Sequence, residues 1–286
     1  KIETIDTGKL FRETKKQANY IAEYYDYYAG LADKVEGTVL PIDKPNIQAI
    51  TTRIPIGVIA AIIPWNSQML LTVTKLAPAL AMGNTVVAKP SEMTPMTASL
   101  LAEIIDDVGL PSGVFNLVHG HGEETGAALT NHSGVDLISF TGGTATGAKV
   151  ASAAASSFKK LSLELGGKNA TIVCADADME KTVAGVVRAG FLNQGQVCLC
   201  GSRILIEESI YDDFVSQFLA AVEAMKIGDP ADPETDLGAL ISADHLNKVS
   251  GYISLAEEEG GVILTGGNTP EGIPEHFENG NWLSPT

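Results

Sequence analysis

The chain has 286 residues and a formal net charge of −16, and 45% of its residues are hydrophobic. This composition is typical of a globular protein, and the length is sufficient for two ordinary domains. The acidic balance argues against binding to nucleic acid or to an anionic membrane surface, because both require clustered Lys and Arg.

The ends of the chain bear on whether the sequence is a fragment, and its cysteines bear on the compartment in which the protein works. The chain starts without Met and stops on Ser284-Pro285-Thr286 with no closing element, so we expect a fragment truncated at both ends. It shows neither a signal-peptide pattern nor an apolar stretch long enough to span a membrane. Three cysteines are too few for a disulfide framework and suit a reducing compartment, so we expect a cytoplasmic protein. His119 and His121 lack further ligands at a suitable spacing, and we predict no metal site.

Apolar runs alternate with helical patterns through the first 165 residues. A helix is predicted over 9–36, where tyrosines recur at helical spacing and are typical of a packing face. A strand is predicted over 48–54. Further strands are predicted over 57–63, 85–88, 114–118, 135–140 and 160–165, with intervening helices over 68–82, 94–108, 123–130 and 144–155. This alternation predicts a Rossmann-like, doubly wound α/β sheet, whose ligands bind beyond the carboxyl ends of the strands.

A second α/β pattern begins near residue 166 and is unfinished at residue 286. Strands are predicted over 169–174, 204–207 and 262–265, and helices over 178–189, 209–225 and 242–259. We therefore predict two domains, 1–165 and 166–286, the second of them incomplete.

Three residues in predicted loops have chemistry that a strand end or loop can use. Cys198 lies among glycines and amides, although a loop cysteine by itself is more often structural than catalytic. Glu164 ends an apolar strand and is either a buried partner of the backbone or a general base. Asn66 follows a strand and either donates to an oxyanion or caps the next helix. Cys174 ends an apolar strand and is predicted to be a core residue, whereas Cys200 is a bystander or a redox neighbour of Cys198.

Two further patterns are typical of nucleotide sites but are weak alone. Lys89 and Glu92 follow a strand and either bind the hydroxyls of a ribose or form a surface ion pair. Gly120, Gly122 and Gly126 form a loop one residue longer than the usual dinucleotide fingerprint. Gly142, Gly143 and Gly147 form a second glycine loop. Each loop precedes a helix N-terminus, which can hold phosphate.

Five motifs occur in the same order as in the aldehyde dehydrogenase superfamily, which the chain resembles from about residue 7 to residue 286. They are Pro64-Trp65-Asn66, Lys89-Pro90-Ser91-Glu92, Phe140-Thr141-Gly142-Gly143, Glu164-Leu165-Gly166-Gly167-Lys168 and Gly195-Gln196-Val197-Cys198. The resemblance implies an aldehyde dehydrogenase fold, with an NAD-binding domain in 1–165 and a truncated catalytic domain in 166–286.

The resemblance also implies catalytic roles. Cys198 is the expected nucleophile, which forms a thiohemiacetal and, after hydride transfer to NAD, a thioester. Asn66 and the Cys198 backbone N–H are the expected oxyanion donors, and Glu164 is the expected base for the hydrolytic water. The implied cofactor contacts are Ile63, Pro64, Trp65, Lys89, Ser91, Glu92, Gly122, Gly126, Phe140, Thr141, Gly142, Gly143 and Leu165.

The cofactor and the substrate follow from finer details of the resemblance. The Glu92 carboxylate would repel a 2′-phosphate, which favours NAD over NADP. The family usually has Ser at the position of Gly143, so we expect the phosphate contact of that hydroxyl to be absent here, while the backbone N–H remains. The sequences of residues 195–203 and 159–163 are similar to those of the family branch that acts on muconic semialdehydes. Betaine-aldehyde enzymes and broad-specificity enzymes are the alternative assignments. The implied partners are a small-molecule aldehyde and further copies of the protein, as a homodimer or homotetramer. A CoA-acylating relative and a non-catalytic NAD-binding fragment are the alternatives.

Overall fold

The computed structural model describes residues 1–286, which form two compact units. One unit is Lys16–Leu165, and the other combines Lys1–Lys15 with Gly166–Thr286. The first 15 residues therefore differ from the predicted division, which placed them in the first domain. Backbone and side-chain bonds explain this placement, since the Phe11 N–H donates to the Pro230 carbonyl and Arg12 forms an ion pair with Asp236.

The chain opens with two helices and a short hairpin. Helices α1 (Ile2–Thr7) and α2 (Phe11–Leu31) are followed by the antiparallel strands β1 (Val39–Leu40) and β2 (Ala49–Ile50). The predicted helix is shorter than expected, the predicted strand is reduced to two residues, and α1 was not predicted. Of the predicted packing face, Tyr24 and Tyr28 pack against the core and Phe11, Tyr20 and Tyr27 are exposed, so the prediction is confirmed only in part. Tyr25, which the sequence did not indicate, also packs there.

Five parallel strands form the sheet of the unit Lys16–Leu165. They are β3 (Val58–Ile62), β4 (Thr85–Lys89), β5 (Phe115–Leu117), β6 (Leu137–Gly142) and β7 (Lys160–Leu165). Their order in the sheet is β5-β4-β3-β6-β7. The chain therefore adds β4 and β5 on one side of β3 and then crosses back to add β6 and β7 on the other side, so the reversal point of the sheet lies between β3 and β6. This is the doubly wound arrangement that the sequence predicted, and ligands in such sheets bind at the reversal point.

Helices cover both faces of this sheet. They are α3 (Gln68–Ala81), α4 (Met96–Asp107), a π-helical turn (Gly122–Gly126) continued by α5 (Ala127–Asn131), and α6 (Thr144–Ala155). Alternate residues of β3 serve the two cores, because side chains alternate across a strand. Ile59 and Ala61 belong to the cluster that includes Leu76 of α3, and Ala60 belongs to the cluster that includes Val150 of α6.

The other unit contains a small parallel sheet and three longer helices. Strands β8 (Ala170–Val173) and β9 (Arg203–Ile206) pair in parallel, and the helices are α7 (Met179–Phe191), α8 (Tyr211–Glu223) and α9 (Ala243–Glu258). Val173, Val183, Val186 and Phe214 form its buried cluster. The predicted strand 262–265 is wrong, because these residues pair with no strand and Val262 is exposed. None of the helices in the structure combines the length and hydrophobicity needed to cross a membrane.

Candidate active site

The register of the central strands brings most of the predicted cofactor residues to one edge of the sheet. Ile62 at the end of β3 pairs with Lys89 of β4 and with Phe140 of β6. Thr141 pairs with Glu164 of β7. Because the ladders fix these strand ends at one level, the segments that follow them emerge together at the carboxyl edge.

A cavity of about 730 Å³ opens at this edge of the unit Lys16–Leu165. The structure brings together four predicted cofactor residues in its lining, namely Glu92, Gly122, Gly126 and Phe140. The cavity is also lined by residues that the sequence did not single out, among them Ile62, Thr146, Lys149, Val150 and Ala153. The last four lie on one face of α6 at positions i, i+3, i+4 and i+7, a spacing that could have indicated them.

The other predicted cofactor residues lie around the same edge without lining the cavity. Ile63, Lys89, Ser91 and Thr141 are buried, Pro64, Trp65, Gly142 and Leu165 are half-buried, and Gly143 is exposed. Their placement beside the cavity follows from the strand register, whereas any contact with a cofactor stays a prediction.

Lys89 and Glu92 form an ion pair at the end of β4. The Lys89 ammonium is buried, donates to the Pro90 carbonyl oxygen at 2.8 Å, and lies 3.4 Å from the Glu92 carboxylate. The Glu92 side chain is 42% exposed. The ion pair therefore joins a buried cation to a carboxylate that lines the cavity, and this carboxylate keeps open acceptor positions.

The two glycines after β6 have different surroundings. A Cβ atom on Gly142 would lie 2.6 Å from Cζ of Phe140, too close for any other residue without a shift of that ring. A Cβ atom on Gly143 would meet no atom within 4 Å, and its φ of −70° suits any residue. Packing therefore requires glycine at Gly142 but not at Gly143, which is the N-cap of α6.

Glu164 is exposed near the end of the edge strand β7, so the alternative of a buried backbone partner is wrong. Lys75 of α3, which the sequence did not indicate, lies within its electrostatic influence. Burial lowers the pKa of Lys75 to about 8, and the charge of Glu164 opposes that shift. The Lys75 ammonium donates to the Ser139 hydroxyl at 3.0 Å. The Thr141 hydroxyl, on the strand beside Glu164, is buried without a hydrogen-bond partner.

Asn66 is half-buried between β3 and α3. The residue at the N-cap of α3 is Ser67, so the helix-cap alternative for Asn66 is wrong. Asn66 and Glu164 belong to the unit Lys16–Leu165, whereas Cys198 belongs to the other unit.

Cys198 lies in the loop between α7 and β9 and is exposed, whereas Cys200 is buried. Burial raises the pKa of the Cys200 thiol. Cys174 is exposed, so its prediction as a core residue is wrong, because it lies just beyond the end of β8. The loop begins with Asn193 and Gln194 in the left-handed region, at φ 50° and 57°.

Side-chain amides bind this loop to the rest of its unit. Gln194 donates to the Gly8 carbonyl at 3.2 Å, and the Gln196 side-chain oxygen accepts from the Ile241 N–H at 3.1 Å. Asn169 donates to the carbonyl oxygens of Cys198 and Cys200 at 2.7 and 3.2 Å. The sequence did not indicate Asn169, which is 29 residues from Cys198.

The aldehyde dehydrogenase family model matches residues 1–286 of this sequence. The chain belongs to the aldehyde dehydrogenase family. The family and the fold inferred from the five motifs are thereby confirmed.

The relatives of this chain are named for several different activities. It is 46% identical over 276 residues to (Z)-2-((N-methylformamido)methylene)-5-hydroxybutyrolactone dehydrogenase of Acinetobacter baylyi, covering 96% of the chain and 57% of the relative. It is 45% identical over 285 residues to betaine aldehyde dehydrogenase of Bacillus subtilis, covering all of the chain and 58% of the relative. It is 45% identical over 280 residues to 2-hydroxymuconic semialdehyde dehydrogenase of Pseudomonas putida, covering 98% and 57%. The chain thus spans somewhat more than half the length of these relatives.

Solved structures of the family have the same fold as this chain. A crystal structure of betaine aldehyde dehydrogenase from Staphylococcus aureus, in complex with NAD+, matches with a TM-score of 0.97 at 40% identity. The match covers all of this chain and 56% of the other.

Proposed function

We propose that the whole protein oxidises an aldehyde to a carboxylic acid with NAD, through a thioester on Cys198. The observation that carries the proposal is the exposed Cys198 thiol on a loop that three side-chain amides hold, within a chain of this family. An exposed thiol is accessible to an aldehyde, and a fixed loop maintains its direction of attack.

The cavity of the unit Lys16–Leu165 fits a dinucleotide. Its volume is within the range of small-molecule sites, and its lining combines apolar residues and glycines with polar and charged side chains. The Glu92 carboxylate can accept hydrogen bonds from ribose hydroxyls. Lys89 holds that carboxylate in place, and the thirteen residues predicted from the resemblance are the proposed contacts. NAD is favoured over NADP because Glu92 would repel a 2′-phosphate, and a neighbouring structure contains NAD+. When bound, NAD supplies the hydride acceptor.

The chain's own residues perform the remaining chemistry. The Cys198 thiolate adds to the aldehyde carbon, and the Asn66 side-chain amide and the Cys198 N–H donate to the resulting oxyanion. After the hydride has left, Glu164 accepts a proton from the water that attacks the thioester, and the acid departs from the restored thiol. The exposure of Glu164 at the end of β7 supports this role, because water has access to it.

We propose a semialdehyde as the substrate, based on the sequences of residues 195–203 and 159–163 and on the relative from Pseudomonas putida. A dicarboxylate substrate requires a basic residue, and the candidates are Arg53, Arg188 and Arg203. The Arg203 side chain already donates to the Lys168 carbonyl. Arg188 lines a small cavity with Val197, Leu199 and Cys200, close in the fold to the Cys198 loop. A panel containing 2-hydroxymuconic semialdehyde, betaine aldehyde and unbranched aldehydes tests this, and a preference for betaine aldehyde would reject the semialdehyde assignment.

The alternatives differ in their products. A CoA-acylating enzyme would yield acyl-CoA, and Glu164 argues against it because such relatives generally lack this base. Identifying the product with and without CoA decides between them, since strict dependence on CoA would contradict hydrolysis. A non-catalytic NAD-binding protein would bind NAD and oxidise no aldehyde of the panel. We further propose that the protein is cytoplasmic and forms a homodimer or homotetramer, which sedimentation analysis of the whole protein would test.

A further inference from the structure

Cys198 and Leu199 of the Cys198 loop have little packing to hold them, whereas the next residue, Cys200, is buried. Cys198 is exposed, and Leu199 is 80% exposed. The preceding residues Asn193 and Gln194 adopt left-handed backbone conformations, which are unfavourable for residues other than glycine. Because the side chains of Cys198 and Leu199 are exposed and the backbone before them is in an unfavourable conformation, these residues depend on hydrogen bonds for their conformation.

The Asn169 side chain supplies two of these bonds from a fixed position. Its Nδ2 donates to the carbonyl oxygens of Cys198 and Cys200, the residues immediately before and after Leu199. The main chain of Asn169 is itself anchored, because its carbonyl oxygen accepts from the Arg203 N–H at 3.1 Å. The Arg203 side chain donates to the neighbouring Lys168 carbonyl at 2.9 Å. The start of the β8–β9 ladder is thereby connected to the loop.

The other side-chain amides of the loop act on its earlier part, and the Cys200 thiol donates to the Leu192 carbonyl at 3.9 Å. Gln194 and Gln196 hold residues 194 and 196 through Gly8 and Ile241. The Cys200 N–H donates to the Val197 carbonyl, which forms a turn but does not orient that turn relative to the sheet. The Asn169 amide is the contact that relates the direction of the Cys198 backbone to the β8–β9 pair.

We propose that Asn169 is a positioning residue, which fixes the Cys198 thiol and the Cys198 N–H in the directions that attack and oxyanion binding require. This inference rests on the proposed function. The two N–H groups also compensate the partial negative charge of two carbonyl oxygens near the thiolate. Asn169 acts through the loop backbone and touches neither aldehyde nor cofactor.

The test replaces the amide in the whole protein and follows the thiols directly. Asn169→Asp keeps the shape but places a carboxylate against two carbonyl oxygens. Asn169→Ala removes the donor, and it should fold because Asn169 is exposed. Asn116→Asp is the matched control, since Asn116 is an exposed amide that donates to a single carbonyl, that of Gly113, at 2.9 Å, and it has no bond to the Cys198 loop. Iodoacetamide labelling, resolved by peptide mass, compares Cys198 with the exposed Cys174 across about pH 6 to 9.

We expect both Asn169 variants to label Cys198 about tenfold more slowly and kcat to fall about 10- to 100-fold. Asn169→Asp should also shift the labelling profile of Cys198 to higher pH. The Cys174 rate, the NAD affinity and the Asn116→Asp control should stay at wild-type values. Unchanged Cys198 labelling in both variants, or an equal loss at Cys174, would overturn the proposal. Labelling does not require turnover, so the two proposals can fail separately. If the wild-type protein oxidised no aldehyde, the proposed function would be rejected, and the labelling rates would still test the positioning role of Asn169.

Discussion

The cofactor cavity and the Cys198 loop are held in place by different interactions. The residues around the cavity follow the strands of a five-stranded parallel sheet. Main-chain hydrogen bonds of that sheet align Ile62, Lys89 and Phe140 at the same height along neighbouring strands. The Cys198 loop belongs to no ladder, and side-chain amides from Asn169, Gln194 and Gln196 hold it. We therefore expect cofactor binding to weaken mainly when a substitution crowds the backbone beside the cavity. We expect the reactivity of the Cys198 thiol to change when a single side chain that holds the loop is replaced.

Removing the nucleophile separates the two regions most completely. Cys198→Ala should reduce aldehyde oxidation by about 10⁴-fold or more, because no other exposed thiol lies in this loop. The NAD dissociation constant should be unchanged, since Cys198 is not among the residues that line the cavity. NADH absorbance and NAD titration of the same preparation measure both. Cys174→Ala is the control, and undiminished NADH production by Cys198→Ala would refute the assignment of the nucleophile.

Removing the base should leave the thiol chemistry intact. Glu164→Gln should slow steady-state turnover by about 10²- to 10⁴-fold, because hydrolysis of the thioester loses its proton acceptor. A rapid burst of one NADH per active site should persist, since thioester formation does not require this base. Stopped-flow absorbance checks it. Loss of the burst together with turnover would place Glu164 in an earlier step.

The glycine pair after β6 tests whether backbone space governs cofactor binding. Gly142→Ala should weaken NAD binding about tenfold, because the new methyl group displaces the Phe140 ring at the cavity wall. Gly143→Ser has free space and restores the hydroxyl that the family usually has, so NAD binding should tighten about threefold to tenfold. Calorimetric titration measures both changes. Equal losses in the two variants would contradict the distinction between the glycines.

Lys75 provides a smaller effect, on stability rather than activity. Burial lowers its pKa to about 8 from 10.5, so between these values the unfolded chain binds more protons than the folded chain. Its contribution therefore makes the folded state more stable as pH rises from about 8 to about 10.5. Lys75→Met should be more stable than wild type at neutral pH, with a gain that shrinks as pH rises through this window. Thermal unfolding at several pH values measures the gain. Lys44→Met, at an exposed site, is the control, and a pH-independent gain would contradict burial as the cause.

The sheet edge was largely predictable from the sequence, and the loop was not. Apolar runs that end just before Pro64, Lys89 and Thr141 predicted β3, β4 and β6 to within two residues, because buried parallel strands are continuously apolar. The same reasoning failed for residues 262–265, which are apolar but have no neighbouring strand. Asn169 could not be predicted, because its contacts depend on a loop that contains two left-handed residues other than glycine. The cavity face of α6 could have been predicted from its helical spacing.

The central claim is that an acyl group is held on Cys198 and released with the help of Glu164. Its most direct test is to mix the Glu164→Gln variant of the whole protein with NAD+ and a reactive semialdehyde, quench, and weigh the peptides. The account predicts one acyl group on the Cys198 peptide, formed together with one NADH, and none on the peptides of Cys174 or Cys200. Stoichiometric NADH without any acylated Cys198, or acylation at another residue, would contradict it.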